Sequence, residues 1–217
     1  MRRTHPTPRS ASTAVLLALT AGILSAEPLD TMMVLEMYPG TEQAVGLIRP
    51  NAFPDGDRAG TIGFTRTAQM LQPLSDTHEE IAAGLRRSGV RAGIQAVPAG
   101  GAPQYTIDLA AALKMAIGDF ESSGPAGRRR AILLLFASED AGLAPHMTTL
   151  KDLLRVAQIK LYAVVVQRTN NRPPAGRPPA PFPTMTAQLV NQLTDASGGK
   201  IYRRNWDLGA ILADARK

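Results

Sequence analysis

Residues 131–136 read AILLLF and residues 161–166 read LYAVVV, and these two runs decide the fold. Each run is apolar at consecutive positions, which is typical of a strand buried on both faces of a sheet. A third run, MMVLEM at residues 32–37, has the same character apart from Glu36. Strands that are covered on both faces occur in parallel sheets flanked by helices. The sequence therefore predicts an α/β protein.

Helical patterns alternate with these strands. Thr77 and Glu80 form a capping-box pattern at the start of one helix, and Gly89 is suited to its C-terminal turn. Gly198 and Gly199 are placed to end a later helix. Apolar stripes with helical spacing mark four helices: Leu109, Leu113, Ile117 and Phe120; Leu150, Leu153, Leu154 and Ala157; Leu189, Leu193 and Ala196; and Leu208, Ile211, Leu212 and Ala215. The alternation predicts a doubly wound, mostly parallel central sheet with helices on both faces.

One pair of predicted strands looks more exposed than the others. Residues 61–65 read TIGFT and residues 68–74 read AQMLQPL. Pro73 has no N–H to donate to a neighbouring strand, so the second run is expected at an edge of the sheet. We expect one antiparallel edge strand there.

Composition excludes several functional classes. The 217 residues include no cysteine, which rules out disulfides, cysteine-ligated zinc and a catalytic thiol. The formal net charge is +6, and three of the 24 basic side chains, Arg2, Arg3 and Arg9, lie in the first 26 residues. Without them 21 basic side chains face 18 acidic ones. Such a small excess gives little support to nucleic-acid binding, and no nucleic-acid partner is expected.

The first 26 residues have the order of a secretory signal peptide. A basic, polar start precedes the apolar run AVLLALTAGIL at residues 14–24, and the small residues Ser25 and Ala26 follow. A transmembrane helix needs about 20 apolar residues, more than this run offers. We expect a secreted or periplasmic protein with no membrane insertion beyond this segment. An uncleaved N-terminal anchor is the alternative, because Leu24 is larger than the residue that usually stands three positions before a cleavage site.

Residues 27–217 are expected to form one domain. Within it, residues 168–184 read RTNNRPPAGRPPAPFPT, a proline-rich segment that favours an extended, solvated loop. We interpret this loop as a surface insertion between a strand and a helix. A docking segment for an aromatic groove is the alternative.

The order of these segments resembles that of von Willebrand factor A domains, and of exported bacterial members in particular. Residues 57–87 are similar to the second strand, edge hairpin and following helix of the family. The sequence RRRAILLLFASED at residues 128–140 resembles the fourth strand, and IKLYAVVV at residues 159–166 resembles the fifth. Residues 189–216 are similar to the closing helix, strand and helix. The resemblance runs from about residue 30 to the C-terminus, interrupted by the proline-rich loop.

The resemblance also identifies where a metal would bind. Family members that bind Mg²⁺ or Mn²⁺ carry Asp-x-Ser-x-Ser after the first strand, a Thr before the third helix and an Asp after the fourth strand. The matching positions of this chain read Glu36-Met37-Tyr38-Pro39-Gly40, Gly100-Gly101-Ala102 and Phe136-Ala137-Ser138. Glu36 alone conserves a ligand type, and Mg²⁺ needs several hard oxygen donors. The resemblance therefore implies a degenerate metal-ion-dependent adhesion site, and we expect neither a metal nor another cofactor.

We accordingly expect a module that binds a protein partner, whose identity the sequence does not give. Open α/β sheets place their sites at the C-terminal ends of the strands. The candidate partner-binding residues there are Glu36, Tyr38, Gly40, Tyr105, Ser138, Glu139 and Asp140. Tyr38 and Tyr105 are the expected exposed anchors, whereas the Glu36 carboxylate is expected to accept hydrogen bonds from nearby loop amides. The alternative is a metal-dependent adhesion domain with displaced oxygen ligands drawn from Thr41, Thr106, Ser138, Glu139 and Asp140.

No sequence motif indicates an enzyme. The chain has neither a GxxxxGK[ST] phosphate loop nor a Gly-x-Ser-x-Gly elbow. His78 and His146 fall at predicted helix starts, where surface positions are expected. We therefore predict no catalytic residue and no enzymatic activity. A hydrolase with an unfamiliar site, and a folded protein with no dedicated partner, stay open as alternatives.

Overall fold

The computed structural model describes residues 27–38, 41–94, 107–123, 127–166, 183–203 and 205–217, without the side chains of residues 90–94. The strands in these ranges are β1 (Leu29–Glu36), β2 (Arg58–Phe64), β3 (Ala68–Ser75), β4 (Arg129–Phe136), β5 (Ile159–Val165) and β6 (Lys200–Tyr202). The α-helices are α1 (Glu42–Val45), α2 (His78–Ile94), α3 (Leu109–Ser123), α4 (Met147–Val156), α5 (Thr184–Ser197) and α6 (Leu208–Ala215). The expected signal segment and most of the proline-rich loop lie outside the described residues.

The six strands form one sheet in the order β3-β2-β1-β4-β5-β6. Neighbouring strands are parallel except β2 and β3, which are antiparallel. The predicted class, a mostly parallel sheet with one antiparallel edge strand, is confirmed. We call the edge at the C-terminal ends of the parallel strands the upper edge and the opposite one the lower edge.

Alternate side chains of the central strands enter two separate cores. Met32, Val34 and Leu134 point to the face covered by α3, α4 and α5. Met33 and Leu133, which are partners in the register of β1 and β4, point to the face covered by α1, α2 and α6. Because both faces are covered, these strands carry apolar residues at consecutive positions. No helix in the described residues is long and apolar enough to cross a membrane.

Two of the predicted helix boundaries need correction. Gly89 was expected at the C-terminal turn of its helix, but α2 continues through it to Ile94. A glycine ends a helix when it adopts a left-handed conformation, and Gly89 does not, whereas Gly198 at the end of α5 has a φ of 74°. Thr184, assigned to the proline-rich loop from the sequence, is the first residue of α5.

The lower edge contains a buried ion-pair network. Asp30 is 1% exposed and accepts hydrogen bonds from the guanidinium of Arg58 at 2.6 and 2.9 Å and from Nε of Arg128 at 2.6 Å. The hydrogen bond to Asp30 raises the pKa of Arg58. Asp57 accepts a hydrogen bond from the backbone N–H of Leu29 and pairs with Arg216. These contacts join β1 to β2, β4 and the C-terminus.

A glycine pair tests the packing between β5 and the turn after α5. A Cβ at Gly199 would overlap the backbone of Leu161, whereas one at Gly118 in α3 would meet no atom within 4 Å. We expect Gly199→Ala to lower the free energy of unfolding by at least about 2 kcal/mol. Gly118→Ala should raise it by about 0.5–1 kcal/mol, because alanine favours the helix. Urea denaturation measures both, and equal effects of the two variants would contradict this packing.

Candidate functional site

The candidate site lies at the upper edge, where β1 and β4 end side by side. Glu36 is the last residue of β1, and Phe136 is the last residue of β4. The strands are parallel neighbours in register, with Leu35 opposite Leu135. The segments that follow them, from residue 37 and from residue 137, therefore leave the sheet next to each other.

The Glu36 carboxylate is buried and connects these two segments. Its side chain is 1% exposed. Oε2 accepts hydrogen bonds from the backbone N–H of Ala137 at 2.6 Å and of Ser138 at 3.1 Å, and Oε1 accepts one from the Ser138 hydroxyl. The expectation that Glu36 binds loop amides is confirmed. A carboxylate removed from water requires such donors, because burying it unpaired is costly. We call Glu36, Ala137 and Ser138 the Glu36 cluster.

Tyr38 lies beside this cluster but is not an exposed anchor. The expectation of an exposed ring is wrong, since Tyr38 is 8% exposed. The chain continues along the sheet after Glu36, with the N–H of Met37 donating to the carbonyl of Phe64 at 2.9 Å. The Thr41 hydroxyl then bonds to the carbonyl oxygens of Glu36 and Tyr38 at 2.8 and 2.7 Å. This turn holds Tyr38 against the protein.

Glu139 bonds to the first turn of α5. One oxygen of Glu139 accepts a hydrogen bond from the N–H of Met185 at 3.1 Å, and the other accepts from the N–H and the hydroxyl of Thr186 at 2.8 and 2.7 Å. The first N–H groups of a helix have no partner within the helix, and an acidic side chain there is favourable. The Glu139 carboxylate therefore satisfies donors of α5, although its side chain is exposed.

Asp140 has the same relation to α3. Its Oδ2 accepts a hydrogen bond from the N–H of Leu109 at 3.0 Å, and its Oδ1 accepts one from the N–H of Gly142 at 2.7 Å. Asp140 is 1% exposed. Burial raises the pKa of its carboxyl, and the hydrogen bonds from Gly142 and Leu109 oppose this shift. Asp140 thereby connects the segment after β4 to the start of α3.

In the described residues, the carboxylates at this edge already accept hydrogen bonds from the protein. The carboxylates of Glu36, Glu139 and Asp140 have hydrogen-bond donors on both of their oxygens. These donors belong to the segment after β4 and to the starts of α3 and α5. Within the ranges given above, no three His, Asp or Glu side chains are grouped to hold a metal. A cation would have to displace backbone N–H groups from the oxygens it binds.

The structure brings together part of the predicted set. Glu36, Tyr38 and Ser138 lie at the junction of β1 and β4, while Glu139 and Asp140 bond to the helices on one face. Gly40, Tyr105 and Thr106 lie outside the described residues. Thr186 was not predicted: it is 0% exposed and also accepts a hydrogen bond from the N–H of Asp140 at 2.6 Å. It follows the proline-rich loop by two residues, and no pattern within the sequence pairs it with Glu139.

The histidines lie at helix starts, as predicted. His78 opens α2 with an exposed side chain, and its Nε2 is 2.9 Å from the carbonyl oxygen of Phe53. His146 precedes α4, and its Nδ1 is 3.3 Å from Nζ of Lys114. Neither histidine contacts the Glu36 cluster.

Comparison with known proteins places the fold. No protein-family model matches the chain, and no curated protein matches it. Among solved structures, an aerotolerance-related membrane protein from Bacteroides fragilis is 16% identical over 86% of this chain and 98% of its own, with a TM-score of 0.60. BatB from Bacteroides thetaiotaomicron is 16% identical over 87% and 96%, with a TM-score of 0.60. The SpRpn10 VWA domain is 9% identical over 86% and 94%, with a TM-score of 0.51.

The fold is that of a von Willebrand factor A domain. The fold implied by the sequence resemblance is therefore confirmed. At identities of 9–16% the likeness extends to the fold alone. In this A-domain fold, the Glu36 cluster lies at the upper edge, after the first and fourth strands, the positions where metal-binding relatives carry their ligands.

Two substitutions at Glu36 test its structural role. Glu36→Ala leaves the N–H groups of Ala137 and Ser138 buried without an acceptor, and we expect it to lower the free energy of unfolding by about 3–5 kcal/mol. Glu36→Gln should cost about 1–2 kcal/mol, because its carbonyl can accept from both amides while its NH₂ donates to the Ser138 hydroxyl. Exposed Glu121 provides the control, and Glu121→Ala should change stability by less than about 0.5 kcal/mol. Equal stabilities of the alanine and glutamine variants at position 36 would contradict this role.

Proposed function

We propose that this chain is an exported protein-interaction module with the A-domain fold, which binds its partner at the upper edge without a divalent cation. The observation that carries the proposal is the bonding of the Glu36 carboxylate. Its oxygens accept from two backbone amides and one hydroxyl of the segment after β4. In metal-binding relatives a cation joins the segments at this edge; here, a network of hydrogen bonds made by carboxylates would join them.

The hydrogen-bond network favours a preorganised upper edge. Glu36 connects the ends of β1 and β4, Asp140 connects β4 to α3, and Glu139 connects β4 to α5. Segments fixed in this way lose little conformational freedom when a partner binds, which favours affinity. A partner of this edge would not need an acidic group to complete the shell of a metal.

The buried residues of the candidate set would position the edge, and exposed side chains around them would contact the partner. Glu36, Tyr38, Ser138 and Asp140 are between 1% and 8% exposed. Glu139 is exposed, and Met185, whose N–H bonds to it, is 49% exposed. A large apolar side chain next to a charged one is a common composition for a contact surface. Gly40 and Tyr105 stay predictions from the sequence, because both lie outside the described residues.

Export is proposed from the N-terminal sequence, together with the fold comparison. Residues 1–26 have the order of a signal peptide or an anchor. The relative from Bacteroides fragilis is described as a membrane protein. A module held at or beyond the cell membrane, with its upper edge available to other proteins, is consistent with both observations. We propose no catalytic function, since the sequence has neither a phosphate loop nor a Gly-x-Ser-x-Gly elbow.

Capture of partners from the cell envelope tests the proposal. We expect the chain to retain the same specific protein with EDTA as with Mg²⁺, because no cation takes part. Met185→Asp should weaken retention at least about tenfold by placing a charge in the contact surface. Val156→Asp is the matched control, since Val156 is 78% exposed and lies at the lower-edge end of α4. Its retention should equal that of the unmodified chain.

Two outcomes of the capture experiment would contradict the proposal. Retention that is lost in EDTA and restored by Mg²⁺ would favour the metal-dependent alternative with displaced oxygen ligands. Equal retention by the Met185→Asp and Val156→Asp variants would show that the partner binds elsewhere.

A further inference from the structure

A cavity of about 580 Å³ lies at the lower edge, at the N-terminal ends of β4 and β5. Its lining includes four basic residues and one acidic residue: Arg128, Arg129, Arg130, Lys160 and Glu27. We call the four basic residues and the cavity between them the basic pocket. The pocket lies at the lower edge and the Glu36 cluster at the upper edge. A function of the pocket is therefore independent of the function proposed above.

Two of the four basic residues have a structural explanation. Arg128 donates to the buried carboxylate of Asp30 and to the carbonyl of Gly56, both at 2.6 Å. Lys160 donates to the carbonyl of Asp214 at 3.2 Å, in the last turn of α6. The C-terminal end of a helix carries partial negative charge, which a lysine compensates.

The other two basic residues have donors to spare. Among the described residues, Arg129 bonds only through Nε, to Glu27 at 2.6 Å, and the Glu27 side chain is 60% exposed. An ion pair this open to water contributes little to stability. Arg130 is half-buried, and in the part of the chain that the structure describes it has no hydrogen-bond or ion-pair partner. The contacts of the described residues therefore give the half-buried Arg130 guanidinium no structural role.

The chemistry of the pocket favours a phosphate group. A guanidinium presents its N–H groups in a planar fork that binds two oxygens of one phosphate. Arg128 is paired with Asp30 and Arg129 with Glu27, so in the described residues Lys160 and Arg130 are the two positive charges of the pocket without an acidic partner, and a group with two negative charges would offset them. The volume lies within the range of about 300–1,000 Å³ that small-molecule sites occupy.

We propose that the basic pocket binds a phosphate group through the basic side chains that line it, Arg130 above all. The ends of α4 and α6 that meet this edge are C-terminal, so backbone N–H groups of helix starts contribute nothing and binding depends on these side chains. The phosphate belongs either to a soluble molecule or to an anionic lipid headgroup. Glu27, which lines the pocket, directly follows residues 1–26, the segment that we expect to be a signal peptide or an anchor.

Binding measurements on the purified full chain test this proposal. Inorganic phosphate and pyrophosphate are titrated calorimetrically at low ionic strength. In a second arm, the chain is sedimented with vesicles of phosphatidylcholine alone and with vesicles that also contain phosphatidylglycerol. The variants are Arg130→Gln and, as a matched loss of one positive charge, Arg155→Gln. Arg155 is 73% exposed and pairs with Asp152 within α4.

Saturable binding of pyrophosphate, or preferential sedimentation with phosphatidylglycerol vesicles, is the expected result. The first identifies a soluble phosphate and the second a lipid headgroup. In either arm Arg130→Gln should weaken binding at least about tenfold, and Arg155→Gln less than about twofold, because exposed charges outside the pocket are screened. Unchanged melting temperatures of both variants would establish that the fold is intact.

Two results would overturn the proposal. One is the absence of binding in both arms at millimolar phosphate. The other is an equal loss of binding in the Arg130→Gln and Arg155→Gln variants, which would show that binding depends on the net charge of the protein and not on the pocket.

Discussion

The arrangement of the upper edge depends on one buried carboxylate that must find hydrogen-bond donors. Glu36 ends a strand buried on both faces, and its side chain has no access to water. Its donors include the backbone amides that follow β4, which is the parallel neighbour of β1. The hydrogen bonds to Glu36 hold the segment after β4 in place. In the same segment, Glu139 accepts a hydrogen bond from the start of α5, and Asp140 accepts one from the start of α3. The positions of α3 and α5 are thus linked to the desolvation of one side chain.

The buried carboxylates at the two edges of the sheet have different kinds of partner. At the lower edge the buried carboxylate of Asp30 is paired with two guanidinium groups. At the upper edge the buried carboxylates of Glu36 and Asp140 bond to backbone N–H groups and a hydroxyl. Helices α3, α4 and α5 begin at the upper edge, where their free N–H groups favour anions, and α4 and α6 end at the lower edge, where cations are favoured. The direction of the helices therefore accounts for the acidic residues at the upper edge and for some of the basic residues at the lower edge.

The sequence was sufficient to predict the sheet and much less of the site. Apolar runs at 131–136 and 161–166 indicated buried strands, because strands covered on both faces carry consecutive apolar residues. Pro73 identified the edge strand for an equally local reason. The burial of Tyr38 depends on continued pairing with β2 and on the turn at Thr41, and the Glu139–Thr186 contact joins residues 47 apart. The Glu139–Thr186 contact follows from the packing of α5 on the sheet. Neither this packing nor the pairing after β1 has a local pattern in the sequence.

A crystal structure of the protein grown with Mn²⁺, with anomalous scattering recorded for the metal, tests the central claim most directly. We predict no anomalous peak near Glu36, with its carboxylate still bonded to the amides of Ala137 and Ser138. An anomalous peak about 2.0–2.3 Å from the Glu36 oxygens, with those amides released, would contradict the account.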